Sequence, residues 1–148
     1  MENVRYVSKN LFIENLSISN IAKKTGTPCY IYSENQIKEN YTKFVNTFKK
    51  INPLICFAAK SNSNLYILRS LGKLGAGTDV VSAGELLKAL KAGIKANKIV
   101  FSGVGKTEEE LKIAISKKIL LINCESESEA KIINKIAKKL NKKISIGF

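Results

Sequence analysis

The sequence of 148 residues is 45% hydrophobic, which is enough for the core of one ordinary domain. Its formal charge of +13 would favour a nucleic-acid or anionic-surface partner, but only two of its 25 basic residues are arginines, Arg5 and Arg69. Proteins that read phosphates and bases concentrate arginine near aromatic side chains, whereas here lysines are spread along the whole chain. We therefore expect no nucleic-acid partner.

The three cysteines, Cys29, Cys56 and Cys124, lie far apart and form no C-x-x-C pair. This spacing predicts neither a zinc site nor a disulfide framework, and it is typical of small apolar side chains in a reducing compartment. No apolar run approaches the roughly 18 residues of a membrane span, and the N-terminus does not resemble a signal peptide. We expect a cytoplasmic protein with no metal and no membrane partner.

The N-terminal third contains two predicted helices. Apolar residues alternate between positions 11 and 18, which gives no firm prediction there. Residues 21–26 predict a short helix that ends at Gly26, and Pro28 then favours an extended backbone over residues 29–32. Ser33 and Gln36 have the spacing of a helix-capping box, and apolar residues at helical spacing follow it to about residue 50.

From residue 54 onward the sequence repeats a strand-like run and a helix-like stretch about every 22 residues, which predicts an α/β fold with parallel strands. The strand-like runs are 54–58, 78–81, 98–102, 120–124 and 143–148. Three S/T-x-x-E boxes, at Ser82, Thr107 and Ser126, mark helix starts, and Gly75 and Gly93 suit helix ends. We expect these strands to contribute apolar interior residues, namely Ile55, Val80, Val100, Leu121 and Ile144 or Ile146.

One strand-like run ends abruptly in a lysine. Residues 55–64 read ICFAAKSNSN, so Lys60 stands where an apolar strand gives way to small polar residues. A lysine at the end of a buried strand must be solvated, paired, or used covalently through its amine. Most lysines in this chain are solvated surface charges, so the setting of Lys60 is what singles it out.

Several motifs share this setting. Residues 57–62 (FAAKSN), 74–86 (LGAGTDVVSAGEL) and 98–107 (KIVFSGVGKT) resemble, in order and spacing, the diaminopimelate decarboxylase family of pyridoxal-phosphate enzymes. Residues 26–32 and 122–127 fit the same pattern. The resemblance implies a partial (β/α)₈ TIM-type barrel of about five β/α units, where a full barrel needs roughly 250 residues. It places an N-terminal lead-in segment at residues 1–33 and an incomplete pyridoxal-phosphate (PLP)-binding β/α barrel at 34–148.

The resemblance also assigns candidate site residues. Lys60 matches the catalytic lysine that forms an imine with pyridoxal phosphate, and Asp79, the only aspartate, matches a cofactor-site carboxylate close to that lysine. Alternatively, Asp79 bonds local amides at a helix start. Ser82 likewise has two possible roles, as a site residue or as a helix cap, and we favour the helix cap. The GVGKT stretch is not a nucleotide-binding phosphate loop, because Val100 stands where the first glycine of that motif is required.

Other family features fall outside this sequence, which has no histidine. In the family a histidine, a glycine-rich stretch, a glutamate and a cysteine acting across a dimer interface lie further downstream. We therefore expect the N-terminal portion of a decarboxylase that converts meso-diaminopimelate to L-lysine and CO2, inactive alone. Its partner is a second copy, as in the family homodimer, or a separately encoded C-terminal half. The alternatives are a truncated non-catalytic remnant or a related ornithine, arginine or carboxynorspermidine decarboxylase.

Overall fold

The computed structural model describes residues 3–148, which divide by their contacts into two units, residues up to Phe48 and Lys49–Phe148. The first unit begins with a three-stranded antiparallel sheet of β1 (Val4–Val7), β2 (Asn10–Ile13) and β3 (Leu16–Ser17). Ser8 and Lys9 both have positive φ, which is the backbone of a two-residue hairpin turn. The alternating apolar positions up to Leu16 therefore belong to short strands, and Ile18 begins a helix.

Two helices complete the first unit. The predicted short helix is α1 (Ile18–Thr25), and Gly26 ends it with a φ of 81°. The helix α2 (Glu34–Thr47) begins at Ser33, whose Oγ accepts the Gln36 N–H at 3.0 Å. Only this half of the predicted capping box forms, because the Gln36 side-chain oxygen accepts the Asn3 side-chain amide instead. The Glu14 carboxylate accepts a hydrogen bond from the backbone amide of Asn35, and this bond lowers the pKa of Glu14.

The second unit contains five parallel strands in the order β4-β5-β6-β7-β8, which confirms the predicted α/β fold. Its strands are β4 (Cys56–Ala58), β5 (Gly77–Val80), β6 (Ile99–Phe101), β7 (Leu121–Asn123) and β8 (Ile146–Gly147). Its helices are α3 (Leu65–Lys73), α4 (Ala83–Lys91), α5 (Glu108–Lys117) and α6 (Glu127–Lys139). Short 3₁₀ turns occupy Lys49–Ile51, Ala59–Ser61 and Ala96–Lys98.

The core lies between one face of this sheet and the helices. Val80, Ile99, Phe101 and Ile122 are fully buried there, against Leu86, Leu111 and other helix residues. Side chains alternate along a strand, so the neighbours of these residues point to the opposite face. We call that face the open face; it carries Cys56, Ala58, Asp79, Val100, Ser102, Leu121 and Asn123, all half-buried.

The prediction that Val80 shares an interior row with Val100 and Leu121 is wrong, and so is the same prediction for Ile144 or Ile146. Ile146 pairs with Ile122 on the helix side, and Ile144 packs against the core there. Asp79 is the residue that pairs with Val100, while Val80 pairs with Phe101 on the helix side. The error arises because a strand buried on both faces shows no alternation of apolar and polar residues. Gly77 lies on the open face, where a Cβ would come within 2.4 Å of the Lys98 carbonyl oxygen, so this position excludes any side chain.

The helix starts follow the predicted capping signals in two forms. Thr107 and Glu110 make the full reciprocal box at the start of α5. Ser82 and Ser126 also accept the amide three residues later, but Glu85 and Glu129 each reach one residue further back, to the amides of Val81 and Glu125. Gly75 and Gly93 follow α3 and α4 with φ of 97° and 93°, as predicted. None of the helices in residues 3–148 is long and apolar enough to cross a membrane.

Candidate functional site

Lys60 lies in the 3₁₀ turn that directly follows β4. The turn is fixed from inside, because Ala59 is fully buried and Ser61 Oγ donates to the Ala58 carbonyl at 2.7 Å. The Asn62 amide closes the turn on the Ala59 carbonyl. The Lys60 side chain is exposed, and within residues 3–148 its ammonium has neither a hydrogen-bond nor an ion-pair partner. A rigid turn thus presents an unpaired amine at the C-terminal end of the sheet.

Asp79 lies on the neighbouring strand, on the open face. Its Cα partner is Ala58, two residues before Lys60. Asp79 Oδ1 accepts the Ser102 hydroxyl at 2.5 Å, and Ser102 Oγ accepts the Asn123 side-chain amide at 2.9 Å. The alternative role of Asp79 as a helix-start residue does not occur, because Ser82 and Glu85 bond the amides at the start of α4. Ser82 is a capping residue, as expected.

Lys60 and Asp79 stand at the same edge of the sheet without forming an ion pair in the described chain. The charge of Asp79 nevertheless acts on the open face. The pKa of the Cys56 thiol is raised, first by desolvation and then by the Asp79 carboxylate. Cys56 faces the same side as Asp79, two residues before Ala58.

A second lysine near the strand ends, Lys106, has a buried side chain. Lys106 Nζ donates to the carbonyls of Gly103 and Asn123, each at 2.7 Å, and to Glu129 Oε1 at 2.9 Å. Its side chain is 1% exposed and Glu129 is 12% exposed, so this is a buried ion pair. All three ammonium protons are used. Lys106 thereby ties the turn after β6 to the end of β7 and to the start of α6.

Sequence reasoning missed Ser102, Asn123 and Lys106. A usable signal exists, because Asp79, Ser102 and Asn123 are separated by 23 and 21 residues, close to the period of the β/α repeat. Ser102 and Asn123 each follow an apolar run, Asp79 lies within the predicted run 78–81, and the C-terminal ends of parallel strands meet at one edge. Lys106 and Glu129 are also 23 residues apart. The GVGKT stretch is the turn after β6, as expected. Its Lys106 bonds to groups of the protein and so stabilises the fold.

Comparison with known proteins identifies the family. Residues 34–147 match the family model described as "Pyridoxal-dependent decarboxylase, pyridoxal binding domain". The diaminopimelate decarboxylase of Aquifex aeolicus is 47% identical over 145 residues, which cover 98% of this chain and 34% of that protein. The chain thus spans about a third of the length of the curated relatives it matches.

Solved structures agree. The diaminopimelate decarboxylase of M. jannaschii, in co-complex with L-lysine, superposes with a TM-score of 0.95 at 38% identity, covering 99% of this chain and 35% of that one. SrLDC, in complex with PLP and cadaverine, gives a TM-score of 0.77 at 25% identity, covering 93% and 34%. These neighbours have the TIM-barrel type of fold and match at their N-terminal part, which confirms the predicted partial barrel. This chain therefore belongs to the family of pyridoxal-dependent decarboxylases, matched over its pyridoxal-binding domain.

Proposed function

We propose that Lys60 carries pyridoxal phosphate, and that residues 34–148 form the incomplete PLP-binding β/α barrel after a lead-in segment at 1–33. The observation that supports this most directly is the unpaired, exposed Lys60 amine on a rigid turn at the C-terminal end of β4. Barrel enzymes place their chemistry at this end of the strands. The family match over residues 34–147 supports the cofactor.

The residues at this edge fit the reactive part of the cofactor. Lys60 would hold the cofactor by a bond from its amine to the aldehyde carbon, with the aldehyde oxygen released as water. When bound, the cofactor supplies an electron sink for the pair of electrons released by a departing carboxylate. Asp79 would supply a negative charge at the same edge of the sheet, and only its Oδ1 is engaged by the described residues.

We further propose meso-diaminopimelate as the substrate, converted to L-lysine and CO2. The 47% and 38% identity with diaminopimelate decarboxylases favours this substrate over that of SrLDC at 25%. Because the chain spans about a third of these relatives, we propose that catalysis needs a second copy or the part of the protein beyond the matched third. The chain alone should release no CO2 from carboxyl-labelled diaminopimelate. We place the protein in the reducing cytoplasm, since its cysteines are free.

Absorbance titration with pyridoxal phosphate tests the role of Lys60. The wild type should develop the absorption band of a lysine–cofactor adduct, and Lys60→Arg should lose it while keeping the positive charge. Lys73→Arg is the matched control, because Lys73 is an exposed lysine at the end of α3. An equal band in wild type and Lys60→Arg would overturn the proposal.

A further inference from the structure

Three polar side chains form a hydrogen-bonded row across the ends of adjacent strands. The Asn123 amide donates to Ser102 Oγ at 2.9 Å, and the Ser102 hydroxyl donates to Asp79 Oδ1 at 2.5 Å. Asn123 stands level with Ser102, and Ser102 lies two residues beyond the strand partner of Asp79. Adjacent strands are about 4.8 Å apart, a gap that these short side chains can bridge. We call these three residues the polar row.

The direction of the hydrogen bonds in the polar row follows from proton counting. An ionised carboxylate only accepts, so the single Ser102 hydroxyl proton must go to Asp79. Ser102 Oγ can then only accept from its other neighbour, which requires the NH₂ group of Asn123 to face it. Because the Asn123 amide occupies the Ser102 oxygen as a donor, the Ser102 hydroxyl proton is donated to the Asp79 carboxylate. A serine without this partner could rotate its hydroxyl away.

Asn123 is itself held from two sides. Its backbone carbonyl accepts the buried Lys106 ammonium at 2.7 Å. A Cβ at position 147 would lie only 2.9 Å from the Asn123 side-chain oxygen. Glycine at position 147 therefore leaves space for the Asn123 side chain. The end of the polar row farthest from Asp79 is thus fixed by the fold.

The polar row engages only one oxygen of Asp79. Oδ2 receives no hydrogen bond from any described residue, and the Lys60 amine at the same edge of the sheet is also without a partner among them. Resting on the proposed function, we propose that Ser102 and Asn123 are positioning residues. They hold the Asp79 carboxylate so that Oδ2 serves the Lys60 amine, and they act on the lysine only through Asp79.

The first test needs no cofactor. Asp79 is the only aspartate, so the full chain labelled with ¹³C-aspartate gives one side-chain carboxyl resonance in NMR, which vanishes in Asp79→Ala. Ser102→Ala should displace this resonance, and Ser102→Thr, which keeps the hydroxyl, should restore it. Ser116→Ala is the control, because Ser116 is exposed on α5. The proposal is overturned if the Asp79 carboxyl resonance keeps its chemical shift in Ser102→Ala while the amide spectrum shows that the fold is unchanged.

The second test measures whether Ser102 acts through Asp79, at low protein concentration. The rate of borohydride-trapped labelling of Lys60 by pyridoxal phosphate is compared in wild type, Ser102→Ala, Asp79→Ala and the double variant. We expect Ser102→Ala to change the rate about threefold or more in the presence of Asp79 and not at all in its absence. An equal effect of Ser102→Ala in both backgrounds would show that the serine does not act through Asp79. Absence of Lys60 labelling in every variant would instead refute the proposed function, and the NMR test would still decide the role of Ser102.

Discussion

At the scale of single residues, the Lys106 side chain makes three hydrogen bonds within the described part of the chain, whereas the proposed catalytic lysine makes none. The three bonds of Lys106 join the ends of β6 and β7 to the start of α6, and its side chain is shielded from water. Removing one partner of a buried ion pair leaves the other charge uncompensated, which costs about 3–5 kcal/mol. The site therefore depends on a residue that takes no part in the proposed chemistry.

We predict that Lys106→Met lowers the free energy of unfolding by about 3 kcal/mol, measured by urea denaturation. Adding Glu129→Gln should recover part of this loss, because it removes the stranded carboxylate. Lys131→Met is the matched control; Lys131 pairs with Glu127 on the exposed surface of α6, and its loss should cost at most about 0.5 kcal/mol. Similar costs for Lys106→Met and Lys131→Met would show that the buried pair does not stabilise the fold.

The resemblance in sequence singles out Lys60 and Asp79, but it does not predict the hydrogen-bond partners of Asp79. Lys60 ends an apolar run and lies in a family motif, so its position is visible without coordinates. Ser102 and Asn123 are ordinary polar residues whose bonds depend on the register of three strands. A register is set by long-range packing, and shifting a strand by one residue would turn its side chains to the other face.

At the scale of elements, capping decides where the helices of the second unit begin. Glu110 accepts the backbone amides of Thr107 and of Ala83, the first residue of α4, so it caps its own helix and ties α4 to α5. These two bonds hold the pKa of the Glu110 carboxyl below its ordinary value, and the bond from the Ala83 amide has the larger effect. The stabilisation is present when the carboxyl is ionised, above its unfolded pKa, and is lost as the pH falls through the lower folded pKa.

We predict that Glu110→Gln destabilises the chain near neutral pH, and that the difference from wild type shrinks as the pH falls below about 4.5. Denaturant unfolding at a series of pH values measures this. Glu109→Gln, in the same helical turn, is the control, because the Glu109 side chain makes no hydrogen bond in the described chain. If the stability difference between wild type and Glu110→Gln did not change with pH, the cap would not depend on the charge.

The order and type of the main elements were predictable, and their ends were not. All five parallel strands lie inside the predicted runs or within one residue of them, and four of them are shorter than predicted, as with β8, which occupies two residues of the run 143–148. Apolar runs continue past the last paired residue, because loop side chains also pack on the core. Strands β1 to β3 escaped prediction because they are short and their first turn uses Ser8 and Lys9 rather than glycine.

At the scale of the whole molecule, the parallel sheet is open. β4 and β8 each pair on one side only within the described residues, and Val100 and Leu121 on the open face remain partly exposed. A closed barrel would have no strand edges and would fill this face with side chains. Net stabilities are only about 5–15 kcal/mol, so losing one wall of the core can offset most of the stability.

We predict that the 148-residue chain alone is marginally stable or self-associates through its strand edges. Thermal unfolding followed by circular dichroism, combined with sedimentation at several concentrations, tests this. A cooperative transition above about 50 °C from a monomer would show that the open sheet is stable without a covering partner.

The central claim is that Lys60 is the lysine that holds the cofactor, and peptide mapping tests it most directly. The chain, supplied with the part of the protein beyond the matched third, is incubated with pyridoxal phosphate, reduced with borohydride, digested and analysed by mass spectrometry, with Lys60→Arg and Lys73→Arg treated in parallel. We predict that the phosphopyridoxyl group is concentrated on Lys60 in the wild type and in Lys73→Arg. Labelling spread evenly over the other lysines, or unchanged in amount by Lys60→Arg, would contradict the assignment.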